Sequence, residues 1–167
     1  MISANDTGII YDDLAFAERT QKLLRQYKRL IKVEKEIGHK RVSYSRTLFL
    51  NCCIGLLFIP RERIYEDTSL NKPAKDWGIN TSSITDGRVT NEGISAKQLI
   101  RHLRNSLAHG HFKCIYNKQH VLVSIIFEDH NYNGKLSFYG KMSYKDFEKF
   151  VISLANYTLE SNKDRMQ

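Results

Sequence analysis

The stretch SAKQLIRHLRNSLAHG, residues 95–110, decides the fold because it combines a helix start, an apolar stripe and a helix end. Ser95 is a preferred N-cap residue, and Gly110 is well placed to terminate the helix behind it. The stripe that predicts the buried face consists of Leu99, Ile100, Leu103 and Leu107. We therefore predict one continuous helix over residues 95–109.

Three further helices are predicted from the spacing of apolar residues. Residues 12–36 form a long amphipathic helix, and residues 42–59 form a helix that is apolar nearly all round, as is typical of the centre of a bundle. Residues 144–160 form the last helix, with Ser143 as its N-cap and Asp146 as the partner in a capping box. All three are expected to flank the helix over residues 95–109.

Between the internal helix and the last one, alternating apolar residues predict three short strands. They cover residues 112–116, 121–127 and 136–139. Residues 67–93 are polar and are interpreted either as a lid or substrate loop or as a plain connection, with a short anchoring turn around Trp77. The predicted fold is mostly α, a helical bundle carrying a small antiparallel β-meander (α+β by count), in a single domain over residues 1–167.

Composition narrows the class of protein. The formal net charge of +8 is typical of a protein that binds nucleic acid or an anionic surface. The alternative is a basic exterior that is simply solvated. Cys52, Cys53 and Cys114 form neither a disulfide framework nor a metal pair. Cys52 and Cys53 lie in an apolar run, so buried thiols are predicted there, in a reducing compartment. No signal peptide is recognised, and no apolar run approaches the roughly 20 residues that span a membrane. We therefore expect a cytoplasmic protein without membrane association. No cofactor is predicted.

The surroundings of the internal helix are unusually basic in sequence. Residues 93–127 contain no Asp or Glu, which predicts a local site for anions. The RNA-binding candidates there are Lys97, Arg101, His102 and Lys113. His102 is interpreted either as a supporting residue of the site or as a surface residue, and the surface position is preferred. His109 and His111 could be half of a metal site, but no further ligands have a recognisable spacing, so no metal site is predicted.

Arg104, Asn105 and His109 carry the side chains best suited to a phosphodiester. Arg104 lies at the edge of the apolar stripe, Asn105 points outward, and His109 lies about 140° from Arg104 around the helix axis. An Arg fork can bind phosphate oxygens and stabilise a charged transition state, and a His can remove or return a proton. RNA supplies its own nucleophile in the 2′-hydroxyl, so such a site needs no metal and no nucleophilic side chain.

The six residues RNSLAH, from Arg104 to His109, resemble the signature of HEPN ribonucleases, in which an Arg and a polar residue such as Asn are followed by a His. The resemblance implies a homodimer whose motif helices face each other across a cleft. It also implies that Arg104 binds phosphate, that His109 is the acid/base, and that Asn105 orients one or both.

The activity implied by the resemblance is that of a metal-independent endoribonuclease in a toxin, phage-defence or stress role, with an antitoxin or regulatory protein as a further partner. The alternative is a non-catalytic HEPN-like module that binds RNA or a partner. A third, weaker hypothesis is a bundle that binds a nucleotide or another small anion at the same face.

Overall fold

The computed structural model of the chain describes residues 4–38, 45–58, 68–80, 84–86, 93–119 and 121–163. These residues form the helices α1 (Ala4–Glu36), α2 (Ser45–Phe58), α3 (Ala96–Ala108) and α4 (Tyr144–Lys163), and the strands β1 (Ile84–Asp86), β2 (Phe112–Tyr116), β3 (Leu122–His130) and β4 (Leu136–Ser143). The expected fold class, mostly α with an antiparallel β-meander between the internal helix and the last one, is confirmed.

Contacts divide the chain into two compact units, one of Met1–Pro60 with Ile152–Gln167 and one of Arg61–Val151. The single domain expected over residues 1–167 stays a prediction. No helix within the described ranges has both the length and the apolar character needed to cross a membrane.

The first unit is helical. α1 begins at Ala4 rather than at residue 12, and the helix continues through Asp12 because an acidic residue is only mildly unfavourable inside a helix. Of the helix expected over residues 42–59, the part Ser45–Phe58 is confirmed, and the remainder lies outside the described residues. Cys52 and Cys53 are buried free thiols, as predicted, and burial raises the pKa of the Cys52 thiol.

The second unit is built on a four-stranded antiparallel sheet in the order β1-β4-β3-β2. The three predicted strands are confirmed, but β3 continues to His130 and β4 to Ser143 because the two pair along their whole length. β1 was missed, since it has only three residues and lies in the polar stretch 67–93. One face of the sheet packs against α3, and that face holds the buried side chains Ile125, Phe127, Phe138 and Met142.

The described part of the polar stretch 67–93 is a packed connection. It forms two 3₁₀ helices, Thr68–Asn71 and Ala74–Trp77, both of which pack against α3. Leu70 and Ala74 are fully buried, and the backbone N–H of Ala74 donates to the carbonyl of Ile94 at 2.8 Å. The anchoring turn predicted around Trp77 is therefore confirmed, and residues 68–80 are fixed to the N-terminal end of α3 rather than standing off as a lid.

The capping residues predicted for the two C-terminal helices are confirmed. Ser95 and Gln98 form a capping box at the start of α3, with the N–H of Gln98 donating to Ser95 Oγ at 3.2 Å. Ser143 accepts the N–H of Asp146 at 3.0 Å at the start of α4, as predicted. α4 then runs to Lys163, slightly beyond the expected end at Glu160.

The C-terminal end of α3 is a tight turn around Gly110. The N–H of Gly110 donates to the carbonyl of Leu107 at 3.3 Å and the N–H of His111 donates to that of Ser106 at 2.7 Å, which is the Schellman pattern. This pattern needs a left-handed residue, and Gly110 has φ +69°. The turn leads the chain from α3 into β2 and confirms the predicted helix end.

Gly110→Ala is expected to lower the free energy of unfolding by about 1–2 kcal/mol, the approximate penalty for a Cβ in the left-handed region. A Cβ at Gly110 meets no atom within 4 Å, so the effect comes from the backbone alone. Gly110→Asn is the matched control, because Asn tolerates this conformation better and should lose less. Urea unfolding of both variants measures the difference, and equal stabilities would contradict the strained-turn explanation.

Candidate active site

The motif helix α3 is buried over more of its circumference than its apolar stripe predicts. Leu99, Ile100 and Leu103 of the predicted stripe are buried, whereas Leu107 is half-buried. The polar residues His102, Arg104 and Ser106 are buried as well, with exposed fractions of 3%, 8% and 0%. The interpretation of His102 as a surface residue is therefore wrong. The physical reason is that the sheet covers a second side of the helix, whose polar side chains were taken for a solvated face.

A buried carboxylate connects the second side of α3 to the sheet. Asp129 Oδ2 lies 2.7 Å from His102 Nδ1 and accepts a hydrogen bond of 3.0 Å from Asn105 Nδ2. The imidazole of His102 also stacks on Phe138, with ring centres 4.6 Å apart and planes within 4°. Ser106 Oγ donates to the carbonyl of His102 at 2.7 Å. Asp129, 6% exposed, is thus the acceptor shared by two residues of the motif helix.

Asp129 was not predicted as a site residue, because acidic residues were compared only by their positions along the chain. The acid-free window ends at Phe127, and Glu128 and Asp129 follow immediately. The antiparallel turn back into β3 brings Asp129 against α3, so a carboxylate lies beside the motif helix although residues 93–127 contain none. The local anion site inferred from those residues stays a prediction. Alternation along β3 was the available signal, since Asp129 falls on the same face as Phe127.

A β-bulge lies next to this carboxylate. Asp129 pairs with Phe138 but His130 pairs with Leu136, so Ser137 is an extra residue in β4. Ser137 Oγ donates to the carbonyl of Asp129 at 3.1 Å. Bulges frequently occur beside functional sites, where they redirect side chains.

Three histidines lie together where α3 ends. His109 is the exposed C-cap residue of α3, His111 follows the Gly110 turn, and His130 ends β3. The ring centres of His109 and His111 are 6.0 Å apart, and those of His111 and His130 are 4.8 Å apart. His111 Nδ1 and His130 Nδ1 are at hydrogen-bond distance, 3.3 Å. His130 was not predicted as a site residue, because it approaches His111 only through the pairing of β2 with β3.

The residues of the signature occupy different environments. Arg104 is buried, Asn105 is half-buried and directed to Asp129, and His109 is exposed. Among the remaining candidates, Lys97 and Arg101 are half-buried on α3, and Lys113 is exposed on β2. The structure therefore joins Asn105 to His102 through Asp129, and it joins His109 to a histidine cluster.

The described residues contain no group of three or more His, Cys, Asp or Glu arranged to hold a metal ion. This holds for the three neighbouring histidines as well, although their rings are close. The absence of a metal in the working protein stays a prediction.

The fold and the position of the signature are those of a HEPN-type module, in which the Arg-Asn-x-x-x-His motif lies at the C-terminal end of an internal helix. A model of the family HEPN pEK499 p136 matches residues 4–165. The chain therefore belongs to this HEPN family, which confirms the resemblance seen in the signature. No curated protein and no solved structure matches the chain.

Proposed function

We propose that the protein is a metal-independent endoribonuclease of HEPN type, acting in a toxin, phage-defence or stress role in the cytoplasm. The observation that carries the proposal is the exposure of His109 at the end of α3, five residues after Arg104, in a chain of a HEPN family. An exposed imidazole at a helix end can reach a substrate, and His is the side chain best suited to proton transfer near neutral pH.

The proposed reaction is attack of the 2′-hydroxyl on the adjacent phosphorus. His109 takes the proton of that hydroxyl as the O2′–P bond forms. The P–O5′ bond breaks as the 5′-oxygen takes one proton from a second donor, and His109 then loses its proton to solvent, so that the net transfer is one proton from the 2′-oxygen to the 5′-oxygen. The guanidinium of Arg104 stabilises the extra negative charge on the phosphorus oxygens. The products are a 2′,3′-cyclic phosphate and a 5′-hydroxyl.

The second candidate function is a non-catalytic module that binds RNA or a protein partner. The burial of Arg104 favours it, because an Arg residue that is only 8% exposed offers little surface to a phosphate in an isolated chain. Lys97, Arg101 and Lys113 would then supply most of the phosphate contacts, as they would support binding in the catalytic case.

The proposed assembly is a homodimer in which both copies contribute Arg104 and His109 to one cleft. Two-fold symmetry doubles an otherwise sparse set of catalytic groups. An antitoxin or regulatory protein is the proposed further partner, because a free endoribonuclease would damage the RNA of its own cell.

Purified protein incubated with total RNA in EDTA is expected to cut it and to leave 2′,3′-cyclic phosphate and 5′-hydroxyl ends. The expectation follows because no step of the proposed reaction uses a metal. Mapping of the ends by sequencing, with and without phosphatase treatment, measures the outcome. DNA, and RNA with a 2′-deoxy sugar at the cut site, are the matched controls and should remain intact. Cleavage of DNA, or loss of cleavage in EDTA, would contradict the proposed mechanism.

A further inference from the structure

The arrangement of His111 and His130 is not explained by the family signature, which uses His109 alone. Their Nδ1 atoms are 3.3 Å apart, and their rings meet edge to face with an interplanar angle of 76°. Backbone contacts fix His111, whose N–H donates to the carbonyl of Ser106 at 2.7 Å and whose carbonyl accepts the N–H of Glu128 at 2.9 Å. His130 is placed by the sheet, as the last residue of β3 and the partner of Leu136 in β4. The pair is therefore held by the turn after α3 and by the end of the sheet.

A hydrogen bond between two Nδ1 atoms restricts the protons on both rings. One Nδ1 must carry hydrogen and the other must offer its lone pair, so the accepting ring is neutral and is protonated on Nε2. The donating ring keeps its Nδ1 hydrogen whether its Nε2 is protonated or not. Such a ring can release a proton from Nε2 without breaking the bond that orients it, which is what a general acid requires.

We propose that His111 is a second proton-transfer residue of the site and that His130 is a positioning residue that holds it. This inference rests on the proposed endoribonuclease function. His111 donates its Nδ1 hydrogen to His130, and its Nε2 proton goes to the 5′-oxygen as that oxygen leaves phosphorus.

The protons balance over the reaction. His109 begins neutral and gains the proton of the 2′-hydroxyl, while His111 begins as an imidazolium and ends neutral. One O2′–P bond forms and one P–O5′ bond breaks, and no oxidant, reductant or metal takes part. Transfer of a proton back from His109 to His111 through solvent restores the starting state.

The distance between the rings of His109 and His111 suits a base and an acid that act on one phosphate. An attacking and a leaving oxygen lie on opposite sides of one phosphorus, and each proton-transfer group must come within about 2.6–3.2 Å of its oxygen. Rings whose centres are 6.0 Å apart, as those of His109 and His111 are, can approach the two oxygens of one phosphate. His111 lies in contact range of both His109 and His130, so it is the ring best placed to be held on one side and to react on the other.

Burial argues against a purely structural role for the pair. His111 is exposed and His130 is half-exposed, so their contact fills no core. His102, by contrast, is buried under Phe138 and its Nδ1 lies against Asp129, so it is the structural histidine of this unit. Two histidines ordered at the surface beside His109 are available to a substrate.

The test uses an oligoribonucleotide that spans one cut site mapped in total RNA, and a second version with sulfur in place of the 5′-bridging oxygen at that site. A thiolate is a far better leaving group than an alkoxide and leaves without a proton, because thiols ionise near pH 8.5. His111→Ala should cut the ordinary oligonucleotide about 10²–10⁴ times more slowly than the wild type. On the sulfur substrate its rate should return to within about tenfold of the wild type.

His130 is tested by a conservative replacement. His130→Asn keeps an acceptor near the position of Nδ1, whereas His130→Ala removes it, so the Asn variant should retain at least about tenfold more activity on the ordinary oligonucleotide. Gln119→Ala, an exposed change in the β2–β3 turn, is the matched control and should cut both substrates like the wild type. Thermal unfolding of each variant identifies any loss that comes from misfolding.

The outcomes separate this inference from the proposed function. If the wild type cuts RNA and His109→Ala does not, but folded His111→Ala cuts at the wild-type rate, the endoribonuclease stands and the second proton-transfer residue is wrong. If His111→Ala is slow on both substrates to the same extent, His111 is not the acid and the inference is overturned. If the wild type cuts no RNA at all, the proposed function itself fails.

Discussion

His109→Ala is expected to lower the rate of RNA cleavage by about 10²–10⁴, the usual contribution of a proton-transfer group. His109 is an exposed C-cap residue, so its replacement should change the free energy of unfolding by about 0.5 kcal/mol or less. The loss of rate therefore reports the chemistry rather than the fold. Single-turnover cleavage of an oligoribonucleotide at saturating protein measures it, because this separates chemistry from binding.

Arg104→Ala is expected to lower the rate at least as much as His109→Ala, since both phosphate binding and transition-state charge would suffer. Arg104 is buried, however, and its removal can also destabilise the fold. Arg104→Lys separates the two effects because it keeps the charge but loses the planar fork, and it should recover little activity even when folded. A folded Arg104→Lys protein with wild-type activity would contradict the role given to the fork.

The catalytic and the binding-only function are distinguished by measuring RNA cleavage and RNA binding on the same variants. Gln119→Ala, exposed in the β2–β3 turn, should retain the wild-type rate. Filter binding of uncut, 2′-deoxy-substituted RNA should show that His109→Ala binds nearly as tightly as the wild type. If the wild type binds RNA but never cuts it, and His109→Ala is indistinguishable from it, the non-catalytic module replaces the endoribonuclease.

Local signals in the sequence predicted most of the elements. The capping residues Ser95 and Ser143 and the end at Gly110 all act within a few positions of their partners, so the bounds of the internal helix and the start of the last one were correct. The stripe of Leu99 and Leu103 likewise predicted a buried face, because both are fully buried. Such features depend only on residues that are close together in the sequence.

The parts of the site that were missed all depend on partners far apart in sequence. His102 looked like a surface residue because its face of the helix is polar, yet its partner Asp129 lies 27 positions away on β3. His130 approaches His111 only because β2 and β3 pair in one register. Polar contacts of this kind carry no periodicity, so a single sequence shows the residues but not their juxtaposition.

Asp129→Ala is expected to produce the largest loss of stability, about 3–5 kcal/mol, because it breaks a buried polar cluster and leaves its donors without their acceptor. Asp129 Oδ2 is shared by His102 and Asn105, at 2.7 and 3.0 Å, and both side chains belong to the motif helix. Urea unfolding measures the change. Ser143→Ala, which removes an exposed cap, is the comparison and should lose only about 1 kcal/mol.

The same cluster connects stability to the site, because Asn105 is the neighbour of Arg104 in the signature and is held by Asp129. Asp129→Asn keeps an oxygen acceptor and should lose less stability than Asp129→Ala, while His102→Phe keeps the stack on Phe138 and removes one donor. Combining His102→Phe with Asp129→Ala should therefore lose less than the two single losses added together. Additive losses, or an Asp129→Ala protein as stable as Ser143→Ala, would show that Asp129 does not hold the motif helix to the sheet.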